Sequence, residues 1–116
     1  MRKMRGRTLG IDQGEDQLFS DFQHGGDMWV GSGPRERRKH VKFSEPFLSA
    51  PVVQVALSLW DVSNASNIRA DIGAEKVTEQ GFDLVFRTWQ DSQIARVRLS
   101  WTAFGEIDDE DSWDVP

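Results

Sequence analysis

The sequence predicts an all-β fold, a six-stranded antiparallel β-sandwich, and three observations predict it. Apolar residues recur at every second position in three separate stretches, as strands with one buried face require. Clusters of Gly, Pro, Ser, Asn and Asp punctuate the chain between those stretches. No run of ten or more residues carries a convincing helical period. The 116 residues amount to one domain, able to hide roughly two thirds of its unfolded surface in a single core.

The elements follow in chain order. Residues 1–7 carry the positive charge of a signal peptide's first region, but Asp12, Glu15 and Asp16 stand where its apolar stretch would lie. No signal peptide is therefore read, and synthesis in the cytoplasm is expected, with action outside the cell or on a phage-like particle. Residues 1–17 are expected to be a partly flexible N-terminal segment without core contacts of their own, 18–106 the sandwich, and 107–116 an acidic tail. The first strand candidate, 18–22, is weak. Gly31-Ser32-Gly33-Pro34 is loop chemistry. Residues 35–42 read as a strand with one face in water, with 39–43 as its strand candidate. Ser44-Glu45-Pro46 then turns the chain.

From residue 51 the pattern is clearer. Val53, Val55, Leu57 and Leu59 alternate with Gln54, Ala56, Ser58 and Trp60. After a polar loop at 63–67 comes a weaker candidate at 68–76, with Gly73 as a candidate bulge. Phe82, Leu84 and Phe86 then share one face of 82–89, and Ala95, Val97, Leu99, Trp101 and Ala103 share one face of the next strand. The short connection at 90–93 predicts that these two pair as an antiparallel hairpin.

Composition excludes much. With no Cys, disulfides, thiolate metal sites and cysteine nucleophiles are out. His24 and His40 are not spaced for a metal, and no metal or cofactor is expected. No apolar stretch spans a bilayer, so no membrane insertion is expected. Net charge is −5, and six of the acidic residues, Glu106, Asp108, Asp109, Glu110, Asp111 and Asp114, lie from 106 onward. The basic run Arg35, Arg37, Arg38, Lys39 and Lys42 could meet phosphates, but a pI near 4.9 argues against a nucleic-acid partner. Trp113 among acidic residues reads as part of a solubilising tail or as a peptide that docks on a carrier protein.

Enzyme chemistry finds no foothold. Glycoside hydrolysis needs two carboxylates facing one cleft, one with a raised pKa; Asp61 and Asp91, at strand ends, are the least poor candidates. There is no nucleophile elbow, phosphate loop or dinucleotide fingerprint, and the chain is read as a non-enzyme.

Across residues 29–105, a set of motifs resembles the H-type lectin domain of snail agglutinins and of the C-terminal domain of slime-mould discoidins. They are Val41-Lys42-Phe43-Ser44-Glu45-Pro46-Phe47, Pro51-Val52-Val53, Trp60-Asp61-Val62, Asn67-Ile68-Arg69, Gly81-Phe82, Thr88-Trp89 and Ser100-Trp101. The resemblance implies a six-stranded sandwich that assembles as a homotrimer, sometimes stacked into a hexamer. It also implies shallow, metal-free sites between protomers for galactose or N-acetylgalactosamine on cell-surface glycans.

Carried over by resemblance, Arg69 donates to the sugar and Trp89 packs against it. Gln90 stands where snail lectins have His, and Ala95 where they have Tyr. The stretch 29–43 is shorter than theirs and lacks their Gly-Arg-Asp segment, for which Gly31, Ser32 and Gly33 are the nearest substitute. The expected ligand site is therefore Arg69, Trp89, Gln90 and Asp91 of one protomer facing Gly31, Ser32 and Gly33 of a neighbour.

The chemistry suits that role: an indole packs on the C–H face of a pyranose, and a guanidinium fork addresses its vicinal hydroxyls. Plain packing roles stand beside it. Trp101 is read as core, Trp60 as packing, Trp89 equally as an interface aromatic, and Arg69 equally as a loop-holding partner of Asp61, Asp71 or Asp91. The competing function is a trimeric attachment or decoration protein of a phage-like particle, without affinity for free sugar.

Overall fold

The computed structural model describes residues 1–5 and 8–108. Strands β1 (Thr8–Ser20), β2 (Arg35–Lys42), β3 (Val52–Val62), β4 (Asp71–Glu75), β5 (Gly81–Thr88) and β6 (Ile94–Ile107) are joined by loops and one helical turn, α1 (Asp27–Val30). They form two three-stranded antiparallel sheets, β1-β6-β3 and β2-β5-β4, packed face to face. Among the described residues, no helix is long and apolar enough to cross a membrane.

The two sheets close on the strands with the strongest alternation. Phe82, Leu84 and Phe86 of β5 and Val97, Leu99 and Trp101 of β6 belong to one buried cluster with Phe43, Phe47, Ile94 and Met28. Phe43 stacks on Phe82 at 5.6 Å between ring centroids, and Trp101 meets Phe82 edge-on at 5.3 Å. Each such side chain contributes about 1.5–3 kcal/mol on burial. Trp101 is core, as its place in the alternation predicts.

Four expectations about the strands are corrected. β5 and β6 are not a hairpin. Each is the central strand of its own sheet, so the 89–93 connection is an arch across the core that lets both apolar faces point inward. β1 begins at Thr8, not 18, and pairs with β6 from Thr8 opposite Ile107 onward. Its inward positions Gly10, Asp12, Gly14 and Asp16 show no apolar period, because Gly14 is where the Trp101 indole lies; a Cβ there would stand 2.8 Å from the ring. In β3 the alternation breaks at a bulge between Leu57 and Leu59, which turns Leu59 toward Arg98 and Trp60 toward Val97. The extra residue, Ser58, donates to the Arg98 carbonyl at 3.2 Å. Gly73 sits in unbroken register opposite Val85 and makes no bulge.

The basic run 35–42 is β2, and intramolecular bonds engage most of its charges. Arg37 pairs with Asp21 at 2.8 Å and Lys39 with Asp16 at 2.7 Å, joining the β1 edge of one sheet to the β2 edge of the other. On the outer face of β2-β5-β4, Arg38 reaches Glu75 at 2.8 Å and Asp83 at 3.0 Å, and His40 meets Asp83 at 2.9 Å. Asp109, Glu110, Asp111, Trp113 and Asp114 of the acidic tail lie outside the described residues.

Candidate functional site

The chain reversals at one end of the sandwich gather the expected site residues. Arg69 stands on the β3–β4 loop, Trp89, Gln90 and Asp91 on the β5–β6 arch, and Gly31, Ser32 and Gly33 between α1 and β2. The arch turns through Gln90 at φ 56, and Gly33 has φ 75, a conformation that costs a glycine little.

Two polar clamps lock these segments together. Ser92, fully buried, accepts from the Arg69 backbone N–H at 2.9 Å, and its hydroxyl is within reach of the Asn67 and Trp89 carbonyls at 3.1 and 3.2 Å. Thr88 Oγ1 donates to the Arg69 carbonyl from the other side. The second clamp is Arg35, only 6% exposed. Its guanidinium donates to the carbonyls of Gly33 at 3.0 Å, Gln90 at 3.1 Å, and Asp27 and Met28 at 3.2 and 3.3 Å. Gly33 N–H also donates to the Gln90 carbonyl at 2.9 Å. The 31–33 loop, expected to face a neighbour's arch, thus reaches Gln90 of its own chain.

On this frame Arg69 Nη1 meets Asp91 Oδ1 at 2.6 Å, across an open surface. Of the three carboxylates offered to Arg69 by the sequence, Asp91 is the one it takes; Asp61 pairs with Arg96 at 3.3 Å. The Arg69 hydrogen bond holds the Asp91 carboxyl below the ordinary aspartate value, the opposite of the shift a general acid needs. The Trp89 indole is 40% exposed and opens onto a shallow cleft of about 420 Å³ lined by Pro34, Arg35, Glu36, Asp71, Arg87 and Thr88. Arg69 and Trp89 therefore share a frame without lining the same hollow in a single chain. No group of three or more metal-ligating side chains occurs among the described residues.

Sequence reasoning missed the clamps and the cleft. Ser92 carried a signal, a serine in the polar turn Gln90-Asp91-Ser92-Gln93, where hydroxyls bond backbone. Arg35 was hidden in a run read by its charge. Arg87 and Asp71 become neighbours only through the β4–β5 register, which sequence does not reveal.

Comparison with known proteins bears on this end of the molecule. The H-type lectin domain profile matches residues 38–104, a span that holds Arg69, Trp89, Gln90 and Asp91 but not the 31–33 loop. The chain is 52% identical over 110 residues to "ATP synthase subunits region ORF 7" of Fuscovulum blasticum, covering 95% of this chain and 96% of that protein. It is 32% identical over 74 residues to Discoidin-2 of Dictyostelium discoideum, covering 63% of this chain and 29% of that one. Its fold superposes on discoidin II of Dictyostelium discoideum with a TM-score of 0.75 at 24% identity, over 93% of this chain and 41% of the other. The chain thus spans less than half the length of the discoidins it matches.

Proposed function

Because the chain belongs to the H-type lectin domain family, we propose that it is a non-enzymatic, multivalent carbohydrate-binding module whose sites are built from Arg69, Trp89, Gln90, Asp91 and the Gly31-Ser32-Gly33 loop. The observation that carries the reading is the Arg69–Asp91 pair, held at 2.6 Å on loops clamped by buried Ser92 and Arg35. A guanidinium already aligned by a carboxylate offers its remaining N–H donors to sugar hydroxyls, and the carboxylate's remaining lone pairs accept from them. Little side-chain entropy is then lost on binding. The galactose and N-acetylgalactosamine type is the expected specificity, from family resemblance.

A neutral hydrogen bond contributes only about 0.5–1.5 kcal/mol net, so a single site of two or three bonds and one stacked ring binds weakly, on the order of millimolar to tens of micromolar. Useful affinity then requires several sites on one particle. We place them on a homotrimer. Support comes from the contrast between the two outer faces. That of β2-β5-β4 is a ladder of paired charges along its length, whereas that of β1-β6-β3 carries Leu9, Ile11, Val52 and Phe104 at one end, uncharged Gln13, Gln54, Ser100 and Thr102 beyond them, and charges toward the site end, in the Arg98–Glu15 and Arg96–Asp61 pairs. Packing three copies through the less charged face covers the exposed Leu9 and Ile11 and brings neighbouring site ends together.

The test is binding of the purified protein to a panel of immobilised glycans, with Trp89→Ala alongside. Retention of galactose-terminated glycans by the parent and its loss in the variant are expected. Absence of any glycan binding by the folded trimer would overturn the reading.

A further inference from the structure

The cleft beside Trp89 is a second place where sugar chemistry converges, and it lies wholly within one chain. Arg87 projects from the outer face of β5 between Glu36 on β2 and Asp71 on β4, both directly opposite it in register. Its Nε pairs with Glu36 Oε1 at 2.8 Å and its Nη1 with Glu75 Oε2 at 2.7 Å. Nη2, with two hydrogens, is engaged by no partner among the described residues. Asp71 is exposed, and its carboxylate likewise has no partner among them, although cross-strand neighbours stand only about 5 Å apart at Cβ. Arg87 is turned away to Glu36 and Glu75, which leaves a fixed donor and a vacant acceptor lining the same hollow of about 420 Å³ as the Trp89 indole.

From this geometry, and resting on the carbohydrate-binding reading above, we propose that the Asp71–Arg87–Trp89 cleft is a second subsite that takes another, uncharged pyranose of the same glycan. The indole supplies an apolar platform for the C–H face of the ring. Asp71 accepts from one or two hydroxyls, and Arg87 Nη2 donates to an adjacent oxygen.

The two subsites share a frame. Thr88 lines the cleft and donates to the Arg69 carbonyl, and Ser92 joins the Trp89 backbone to the Arg69 backbone. A ligand spanning both therefore meets rigidly spaced partners. Charge sets the selectivity. Over the whole lining Arg35 and Arg87 balance Glu36 and Asp71, but Asp71 is the exposed carboxylate without a side-chain partner among the described residues, so a sialic acid or sulfate seated against it is repelled.

The experiment titrates the parent, Asp71→Ala and Arg69→Ala with galactose, with a neutral galactose-terminated trisaccharide, and with the sialylated form of that trisaccharide. Because Asp71 has no side-chain partner among the described residues, its removal leaves folding unchanged, checked by thermal melts. Expected is a parent that binds the neutral trisaccharide more tightly than galactose. Asp71→Ala should lose roughly ten-fold on the trisaccharide alone, and Arg69→Ala should lose both ligands. The sialylated form should bind the parent more weakly than the neutral one, with the gap narrowed in Asp71→Ala.

Equal trisaccharide affinity in parent and Asp71→Ala overturns the second subsite while leaving the Arg69 site standing. So does a sialylated trisaccharide bound as tightly as the neutral one. A cationic peptide that binds the parent in an Asp71-dependent way, with glycans indifferent to Asp71, assigns the cleft to another ligand and also overturns it. No binding of any sugar by the parent removes both readings.

Discussion

Arg69 and Asp91, 22 residues apart and on different loops, meet at 2.6 Å because the buried hydroxyl of Ser92 fixes the backbone of the first beside the turn that carries the second. The pair is a surface contact, and its worth lies in alignment rather than in stability, since exposed ion pairs contribute little to folding.

Ser92→Ala tests that alignment. The substitution leaves the Arg69 N–H without its acceptor in a part-buried setting, at a cost of about 1 kcal/mol. Chemical denaturation should show that loss. Glycan affinity should fall together with it, although Ser92 itself is buried and out of reach of a ligand.

Gly14→Ala tests the accommodation of Trp101 by β1. The added methyl would stand 2.8 Å from the indole, so ring or strand must shift. A destabilisation of about 1–3 kcal/mol is expected from overpacking, read as a lower denaturation midpoint. An unchanged midpoint would show that β1 does not lie against the ring.

The outer ladder on β2-β5-β4 predicts a pH dependence. Hydrogen bonds from Arg87 and Arg38 hold the Glu75 carboxyl at about 2, below its ordinary 4.5. A depressed folded value means that ionised Glu75 stabilises the fold fully above about pH 4.5, and that this contribution is lost as pH falls toward about 2. Asp83, held low by His40 and then Arg38, acts in the same sense. Thermal melts between pH 7 and pH 2 should show Tm falling below about pH 4.5, with a shallower fall in Glu75→Gln. An equal acid sensitivity in parent and variant would assign the effect to other carboxylates.

Assembly is tested at Ile11, which is 66% exposed on the outer face of β1. Ile11→Asp puts a charge where the trimer contact is proposed, and sedimentation equilibrium should report monomer for the variant and trimer for the parent. A parent that is itself monomeric removes the multivalency on which useful affinity depends.

The legible part of this fold was the part with a period. β5 and β6 were visible because Phe82, Leu84, Phe86 and Val97, Leu99, Trp101 each keep one parity, and the loops at 31–34 and 90–93 were visible as turn chemistry, whereas Arg69, expected within a strand at 68–76, stands on the loop before β4. β1 was not, because an edge strand held by backbone pairing over a neighbour's indole needs no apolar alternation. The arch was mistaken for a hairpin because loop length does not say in which sheet the next strand lies. At the site, residue identities came from resemblance to a lectin family, whereas the Arg35 and Ser92 clamps and the Asp71–Arg87 juxtaposition arise only when distant segments meet.

The most direct test of carbohydrate recognition at Arg69 is isothermal titration of the folded parent and of folded Arg69→Ala with galactose and N-acetylgalactosamine. Saturable binding by the parent, on the order of millimolar to tens of micromolar, should weaken at least roughly ten-fold in Arg69→Ala. Identical isotherms for the two proteins would contradict the assignment.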